Sequence, residues 1–354
     1  MFKAITFFLP VQFIIKKSFI ILFIIVLISI LNNSNSYAKN IDDYGVISLM
    51  YHRFEENKYP STNIKIKDFK KHLDLIEQND FNFISHKEFE NSINSKNLER
   101  KILLTIDDGF KSFYDNAWPY LKKNNIPFIL FVSTEPVGKK GYMNWAQIKE
   151  IENSDIGMVG HHSHTHEYLI DMKNEDFIND IETASEIFKN KIGYVPNIFS
   201  YPFGEFSKFM KDYISKKFDT AFGQHSGIID KNKDQYELPR FPINEKYGEI
   251  SRFENLVNYL PLQYNYIIPE DKLIKSKDNP PNMVINFFSK QKNLDKISCY
   301  SNEGGTWEKT NFELENNKLN IFFREKFKER RGRINCSLRD IEGWRWLGAQ
   351  FSIN

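Results

Sequence analysis

Between about residues 45 and 225, short apolar runs alternate with stretches whose apolar positions recur at helical spacing. The runs Val46–Met50, Ile102–Ile106, Phe128–Val132, Ile156–Val159, Ile198–Tyr201 and Thr220–Phe222 read as strands. Several are apolar at consecutive positions, as expected of strands covered on both faces in a parallel sheet. Helices are expected between them. Asp68–Gln78 sets Phe69, Leu73 and Ile76 on one face, and Ser85 with Glu88 three residues on forms a capping box that opens another helix. Further helical patterns cover Ser112–Asn124, Trp145–Asn153, Asn174–Asn190 and Phe206–Lys216. Strands alternating with helices predict an α/β fold, a barrel or a doubly wound sheet, and in both the chemistry gathers at the C-terminal ends of the strands.

After about residue 265 the pattern changes. Residues 39–265 read as one domain, and residues 266–281, rich in Lys, Asp and Pro, read as a linker or long loop. Residues 282–354 carry short alternating runs, Met283–Phe288, Leu319–Phe323 and Ile334–Leu338, which predict a small β-sandwich. Both cysteines, Cys299 and Cys336, fall there; an exported chain would permit a disulfide between them.

Lys16 and Lys17 precede the apolar run Phe19–Leu31, and polar residues lead to Ser36-Tyr37-Ala38. A basic start, a short apolar core and small residues near a cleavage point predict a signal peptide over residues 1–38, with an uncleaved anchor as the alternative. Export to the periplasm or cell envelope follows, and the membrane is met only through that segment if it is retained. The chain has 48 basic and 46 acidic side chains; losing Lys3, Lys16 and Lys17 with the leader takes the net charge from +2 to −1. That balance gives no reason to expect a nucleic-acid partner.

Two constellations carry the chemistry. His161-His162-Ser163-His164-Thr165-His166 follows the strand at Ile156–Val159, and imidazoles clustered past a strand are a metal signal. Thr105-Ile106-Asp107-Asp108-Gly109 ends the run Ile102–Ile106. Adjacent carboxylates repel, so both ionise comfortably only if a cation or donor takes one; a metal on Asp108 leaves Asp107 as a general base. A third loop, Phe199-Ser200-Tyr201-Pro202-Phe203-Gly204, combines a fixed and a permissive backbone position and can aim an N–H group at a developing oxyanion.

Three motifs in this order resemble the polysaccharide deacetylase family (the NodB-homology domain, carbohydrate esterase family 4). Thr105–Gly109 matches its T-F-D-D-G with Ile106 replacing the aromatic, His162–His166 its H-[ST]-x-x-H, and Ser200–Gly204 its R-P-P-Y-G with the arginine missing. Leu49-Met50-Tyr51-His52-Arg53 is similar to the branch acting on exopolysaccharide N-acetylglucosamine polymers. The resemblance, over residues 45–250, implies a distorted (β/α) barrel and a divalent metal, usually zinc with cobalt or nickel as substitutes, held by Asp108, His162 and His166. It implies Asp107 as the base that activates water and the backbone N–H of Phe203 as an oxyanion donor. His161 and His164 fit the register less well and are expected behind the ligands or at the surface.

The family pairs its base with an arginine that Ser200 cannot replace, and Arg240 in Leu238-Pro239-Arg240-Phe241-Pro242 is the expected substitute. The proton donor to the leaving amine is expected to be His52, with His225 its rival. The implied activity is removal of N-acetyl groups from an N-acetylated polysaccharide, its partner. The alternatives are an O-acetyl esterase and a catalytically weak glycan-binding protein of the envelope. In the C-terminal region, Trp307, Trp344 and Trp346 are expected in the core, with stacking on sugar rings as the alternative. Arg324–Arg333, interrupted by Glu325 and Glu329, reads as a solvated face rather than a polyanion clamp.

Overall fold

The structure, a computed structural model, describes residues 43–354. The expected leader at residues 1–38 lies outside them. Seven strands run parallel in one sheet: β1 (Val46–Tyr51), β2 (Lys101–Ile106), β3 (Phe128–Val132), β4 (Gly157–His161), β5 (Ile198–Ser200), β6 (Thr220–Phe222) and β7 (Phe241–Pro242), ordered β7-β1-β2-β3-β4-β5-β6, with Asn82–Phe83 pairing on β2. β1 and β3 are buried at every position, because helices cover one side and the barrel interior the other. Leu238 bridges β6 at Phe222 while Phe241 pairs with Leu49 of β1, so the segment 238–242 touches both sheet edges and closes the barrel. The fold is the distorted (β/α) barrel expected.

The helices follow their sequence signals. α1 (Ile66–Gln78) buries Phe69, His72, Leu73 and Ile76 at steps of three, one and three. α2 (His86–Ile93) has the capping box, Ser85 Oγ accepting from the Glu88 N–H and Glu88 accepting from the Ser85 N–H. The helix expected over Ser112–Asn124 is two, α3 (Lys111–Asn116) and α4 (Trp118–Lys123), parted at Ala117. Pro119 explains the break, since its ring has no N–H and would meet the carbonyl four residues back in a continuous helix. The remaining helices flanking the sheet are α5 (Trp145–Glu152), α6 (Asn174–Ile192), α7 (Lys208–Ile214) and α8 (Ile250–Leu256).

The C-terminal region is a β-sandwich in the same compact unit as the barrel. One sheet aligns β8 (Tyr264–Ile268), β9 (Met283–Phe287), β12 (Lys318–Phe322) and β11 (Asn311–Glu315); the other carries β10 (Ser298–Ser301), β13 (Arg331–Arg339) and β14 (Trp344–Ile353). β9 and β13 alternate buried with half-buried positions, the period-2 signature, around Ile285, Phe287, Leu319, Ile334, Leu338 and Phe351. Residues 266–281, loop-like in composition, include the end of β8, a short strand Leu273–Ile274 paired with Ser352–Ile353, and the turn Ser276–Asp278.

Cys299 on β10 and Cys336 on β13 are direct cross-strand neighbours and form a disulfide spanning 37 residues. By loop entropy, closing that span stabilises the folded chain by about 4 kcal/mol. Denaturant unfolding of the Cys299→Ser/Cys336→Ser double variant is expected to show that loss, and an unchanged midpoint would contradict it.

The tryptophans divide. Trp346 stacks on Tyr259, with centroids 5.0 Å apart, and its indole N–H donates to Ser226 Oγ. Trp307 and Trp344 are 43% and 44% exposed, which corrects the expectation that all three sit in the core. Trp344 is paired with Arg339 beside the turn that joins β13 to β14, before the buried run that starts at Leu347, so the sandwich core does not cover it.

Candidate active site

Because every barrel pair is parallel, the residues that follow β1, β2, β4 and β5 emerge on one face. His52, Asp107 and Asp108, His162 to His166, and Ser200 to Gly204 therefore converge, although His52 and Gly204 are 152 positions apart in the chain. Four non-glycine residues among them have left-handed backbones: Asp108 (φ 74°), Ser163 (70°), His166 (57°) and Phe203 (60°). Such conformations cost roughly 1–3 kcal/mol each and persist only where the surroundings enforce them, which is characteristic of functional loops. Gly204 adds a close approach: a Cβ there would lie 2.6 Å from the Gln224 backbone nitrogen.

Asp107 is fully buried and held by both terminal nitrogens of Arg240, at 2.6 and 2.8 Å. The guanidinium is fully buried too, and all five of its N–H groups are used, the other three going to Thr105 Oγ1 (3.1 Å), Ser200 Oγ (2.7 Å) and the Gly223 carbonyl (3.0 Å). Ser200, standing where the family motif has its arginine, thus accepts from an arginine delivered by the barrel-closing segment. Burial pushes the Asp107 carboxyl up, but Arg240 and then His162 outweigh it and hold the group below its ordinary range.

Asp108, His162 and His166 face one another, with one potential ligand atom from each lying within 4.8 Å of the others. His166 Nε2 is 2.9 Å and His162 Nε2 3.3 Å from Asp108 Oδ1. Neither approach has hydrogen-bond geometry, so Asp108 Oδ1 and His162 Nε2 are buried polar atoms without a hydrogen-bond partner among the described residues. Buried lone pairs left unsatisfied and aimed at one point are costly unless a cation sits between them. His162 Nδ1 meets the Ser200 carbonyl at 2.7 Å, which fixes the proton on Nδ1 and leaves Nε2 its lone pair. An Asp and two His suit zinc, so the donor set fits the implied metal. Burial opposes ionisation of Asp108, yet His166 and His162 hold it well below its usual range; burial pulls His166 down, but Asp108 wins and raises it.

The other two histidines of the cluster hold the loop. His161 is fully buried among the Phe188, Phe199 and Phe218 rings and accepts from the Ser163 N–H, and burial drives its pKa to about 3. His164 contacts Thr134 Oγ1 at 2.8 Å, and its backbone N–H donates to Asp180. Asp180, on α6, also accepts from the Thr165 N–H and hydroxyl. Nothing in the sequence marks it, since it is one of five acids along α6.

His52 and His225 both line the cleft and are half-buried. Burial lowers His52, while Asp108 and Asp107 pull the other way. Burial, joined by Lys272, Lys233 and Arg240, depresses His225 to about 3. The Phe203 N–H donates to no group among the described residues, and its ring stacks on Tyr168 at 4.2 Å.

The sandwich also reaches the cleft, which sequence reasoning did not anticipate. Gln350 on β14 donates to the Phe203 and Gly204 carbonyls. Glu205, just past that loop, is buried and accepts from Arg330 and Arg331. Trp307, Arg331, Arg333 and Asn335 line a cleft of about 590 Å³ together with His52, Asp108 and His166. The basic run is therefore not simply a solvated face: its end forms part of the cleft wall.

The polysaccharide deacetylase family model matches residues 94–219. A Staphylococcus aureus protein named poly-beta-1,6-N-acetyl-D-glucosamine N-deacetylase is 21% identical over 281 residues, 68% of this chain and 95% of that one. The IcaB structure from Ammonifex degensii superposes with a TM-score of 0.56 at 24% identity, covering 61% of this chain and 98% of that one. The Streptococcus pyogenes deacetylase PplD, solved with acetate, gives 0.55 at 17% identity over 60% and 98%. Among the described residues, no helix is long and apolar enough to cross a membrane. With its three motifs gathered at one end of a barrel of this kind, the chain contains, over residues 94–219, a polysaccharide deacetylase domain by its match to that family's model, and it shares its fold with the solved deacetylases.

Proposed function

We propose that the chain hydrolyses the N-acetyl groups of N-acetylglucosamine units in an extracellular or envelope polysaccharide, releasing acetate. The observation that carries this reading is the pair of orphaned buried atoms, Asp108 Oδ1 and His162 Nε2, beside an ionised Asp107. Asp108, His162 and His166 would hold a divalent ion, zinc by donor type. When bound, such an ion supplies Lewis-acid polarisation and makes water more acidic. Asp107, kept ionised and oriented by Arg240, takes the proton of the attacking water. The oxygen adds to the acetyl carbonyl, and the free N–H of Phe203 stabilises the charge on its oxygen. The C–N bond then breaks and the amine takes a proton from His52, giving acetate and a free amino sugar. His52, which Asp108 and Asp107 pull upward against burial, suits this better than His225, which burial and then the neighbouring Lys272, Lys233 and Arg240 hold at about 3. The name of the Staphylococcus aureus relative supports the sugar. The disulfide, together with the leader-like residues 1–38, supports action outside the cytosol.

The test is acetate release from N-acetylglucosamine oligomers by the purified chain. Removing the several kcal/mol that a Lewis acid contributes, by chelation, is expected to lower the rate about a hundredfold, reversibly on adding zinc. An unchanged rate after chelation would refute the metal. No release from any N-acetylated glycan with zinc, cobalt or nickel present would refute the activity.

A further inference from the structure

Among the described side chains that line the cleft, Asp108 alone is acidic, while three are arginines: Arg252, Arg331 and Arg333. Composition does not explain this, since the whole chain carries 48 basic and 46 acidic groups. The three arginines are not equivalent. Arg331 is neutralised by Glu205 at 2.8 Å. The Arg333 guanidinium donates only its Nε–H, to Gln350 Oε1 at 2.8 Å; among the described residues its terminal nitrogens have no hydrogen-bond acceptor and no ion-pair partner. Arg252 donates to the Tyr247 carbonyl and lies 5.0 Å over the Tyr247 ring, again with no carboxylate. Burial disfavours the charge of both; at Arg333, Arg331 adds to the effect, while Tyr247 and, without direct contact, Glu329 and Glu205 oppose it only in part. Half-buried guanidiniums with idle donors are costly to maintain unless an anion completes them. Both sit in the cleft that contains Asp108 and His166, and Trp307, 43% exposed, offers an aromatic face on the same wall.

We infer that the sandwich and α8 give this cleft an anion subsite, in which Arg333 and Arg252 bind a carboxylate on a sugar adjoining the N-acetylated one. The inference rests on the deacetylase reading above and adds the substrate class: an acidic heteropolysaccharide. Deacetylation leaves an ammonium group at each processed sugar. A neutral homopolymer would thus turn cationic within reach of two unpaired guanidiniums, whereas a polymer with alternating carboxylates would not. The planar fork of each arginine matches a carboxylate with two parallel hydrogen bonds.

Acetate release is measured on heparosan oligosaccharides, in which glucuronate alternates with N-acetylglucosamine, on the same oligosaccharides after reduction of their carboxyl groups, and on peptidoglycan glycan strands, whose carboxylate sits on a lactyl ether. A charge-assisted hydrogen bond predicts a KM roughly ten- to a hundredfold lower for a carboxylate-bearing substrate than for the carboxyl-reduced one. Whichever acidic substrate shows that ratio identifies the carrier of the carboxylate. Arg333→Gln, and separately Arg252→Gln, is expected to bring the ratio close to one. Equal KM values on acidic and carboxyl-reduced oligosaccharides with the unaltered chain would overturn the subsite, whether or not the variants fold. If no substrate releases acetate, the deacetylase reading fails instead. Calorimetric binding of heparosan against its carboxyl-reduced form by the unaltered chain then still decides the subsite.

Discussion

Replacing Asp107 by Asn is expected to lower kcat for acetate release by roughly a thousandfold, the middle of the range for a general base. The amide keeps the shape but cannot accept the proton of water, and its NH2 faces a guanidinium that also only donates. Arg240 thereby loses its countercharge while still reaching Thr105 Oγ1, Ser200 Oγ and the Gly223 carbonyl. Some loss of stability therefore accompanies the loss of rate, and the assay belongs at a temperature where circular dichroism shows the variant folded. Zinc content separates the two effects. Asp108, His162 and His166 are untouched, so the variant should still bind one ion per chain. A folded, zinc-loaded variant that retains its rate would remove Asp107 from the mechanism.

Arg240→Met has the second largest expected effect, and it acts on stability and rate together. Removing one partner from a buried ion pair leaves a carboxylate uncompensated, which costs roughly 3–5 kcal/mol. The sign with pH follows from Asp107. In the native chain its carboxyl lies below the ordinary value, so its contribution to stability is present above the unfolded carboxylate pKa, near 4, and is lost as pH falls through the folded value. Without Arg240 the largest influence left is burial, which raises the pKa. A base protonated at neutral pH is inactive. The acid limb of the pH–rate profile should therefore move upward, with activity partly restored in alkali. Arg240→Lys should fall between, because an ammonium offers three N–H groups from one point where the guanidinium offers five in a planar fork, and it cannot replace every bond Arg240 makes. A profile in Arg240→Met that keeps its native midpoint would show that Arg240 does not set the protonation of Asp107.

Much of the site is legible in the sequence because its parts are local. Asp107 and Asp108 directly follow one strand and His162 and His166 another, and parallel strands buried on both faces announce themselves as continuous apolar runs. Given a parallel sheet, their ends must share a face. The capping box at Ser85 and the alternation in β13 are equally short-range and were readable for that reason.

The rest depends on contacts between distant segments. The sequence raises Arg240 only as a candidate, since its pairing with Asp107 spans 133 positions and exists because segment 238–242 closes the barrel. The histidine cluster as a sequence does not separate the pair facing Asp108 from His161, which is enclosed by phenylalanines of α6, β5 and the turn after α7. Trp307, Arg331 and Arg333 had no pattern to distinguish solvent from cleft, because the surface they face is built by the barrel. On its own, the sequence determined the parallel α/β alternation, the strand-end placement of the acidic and imidazole groups, and the alternation of the sandwich, all consequences of residues a few positions apart. The tertiary structure alone decided which arginine neutralises Asp107 and which C-terminal side chains wall the cleft, because charge pairing and burial are set by proximity in space, not by neighbours in the chain.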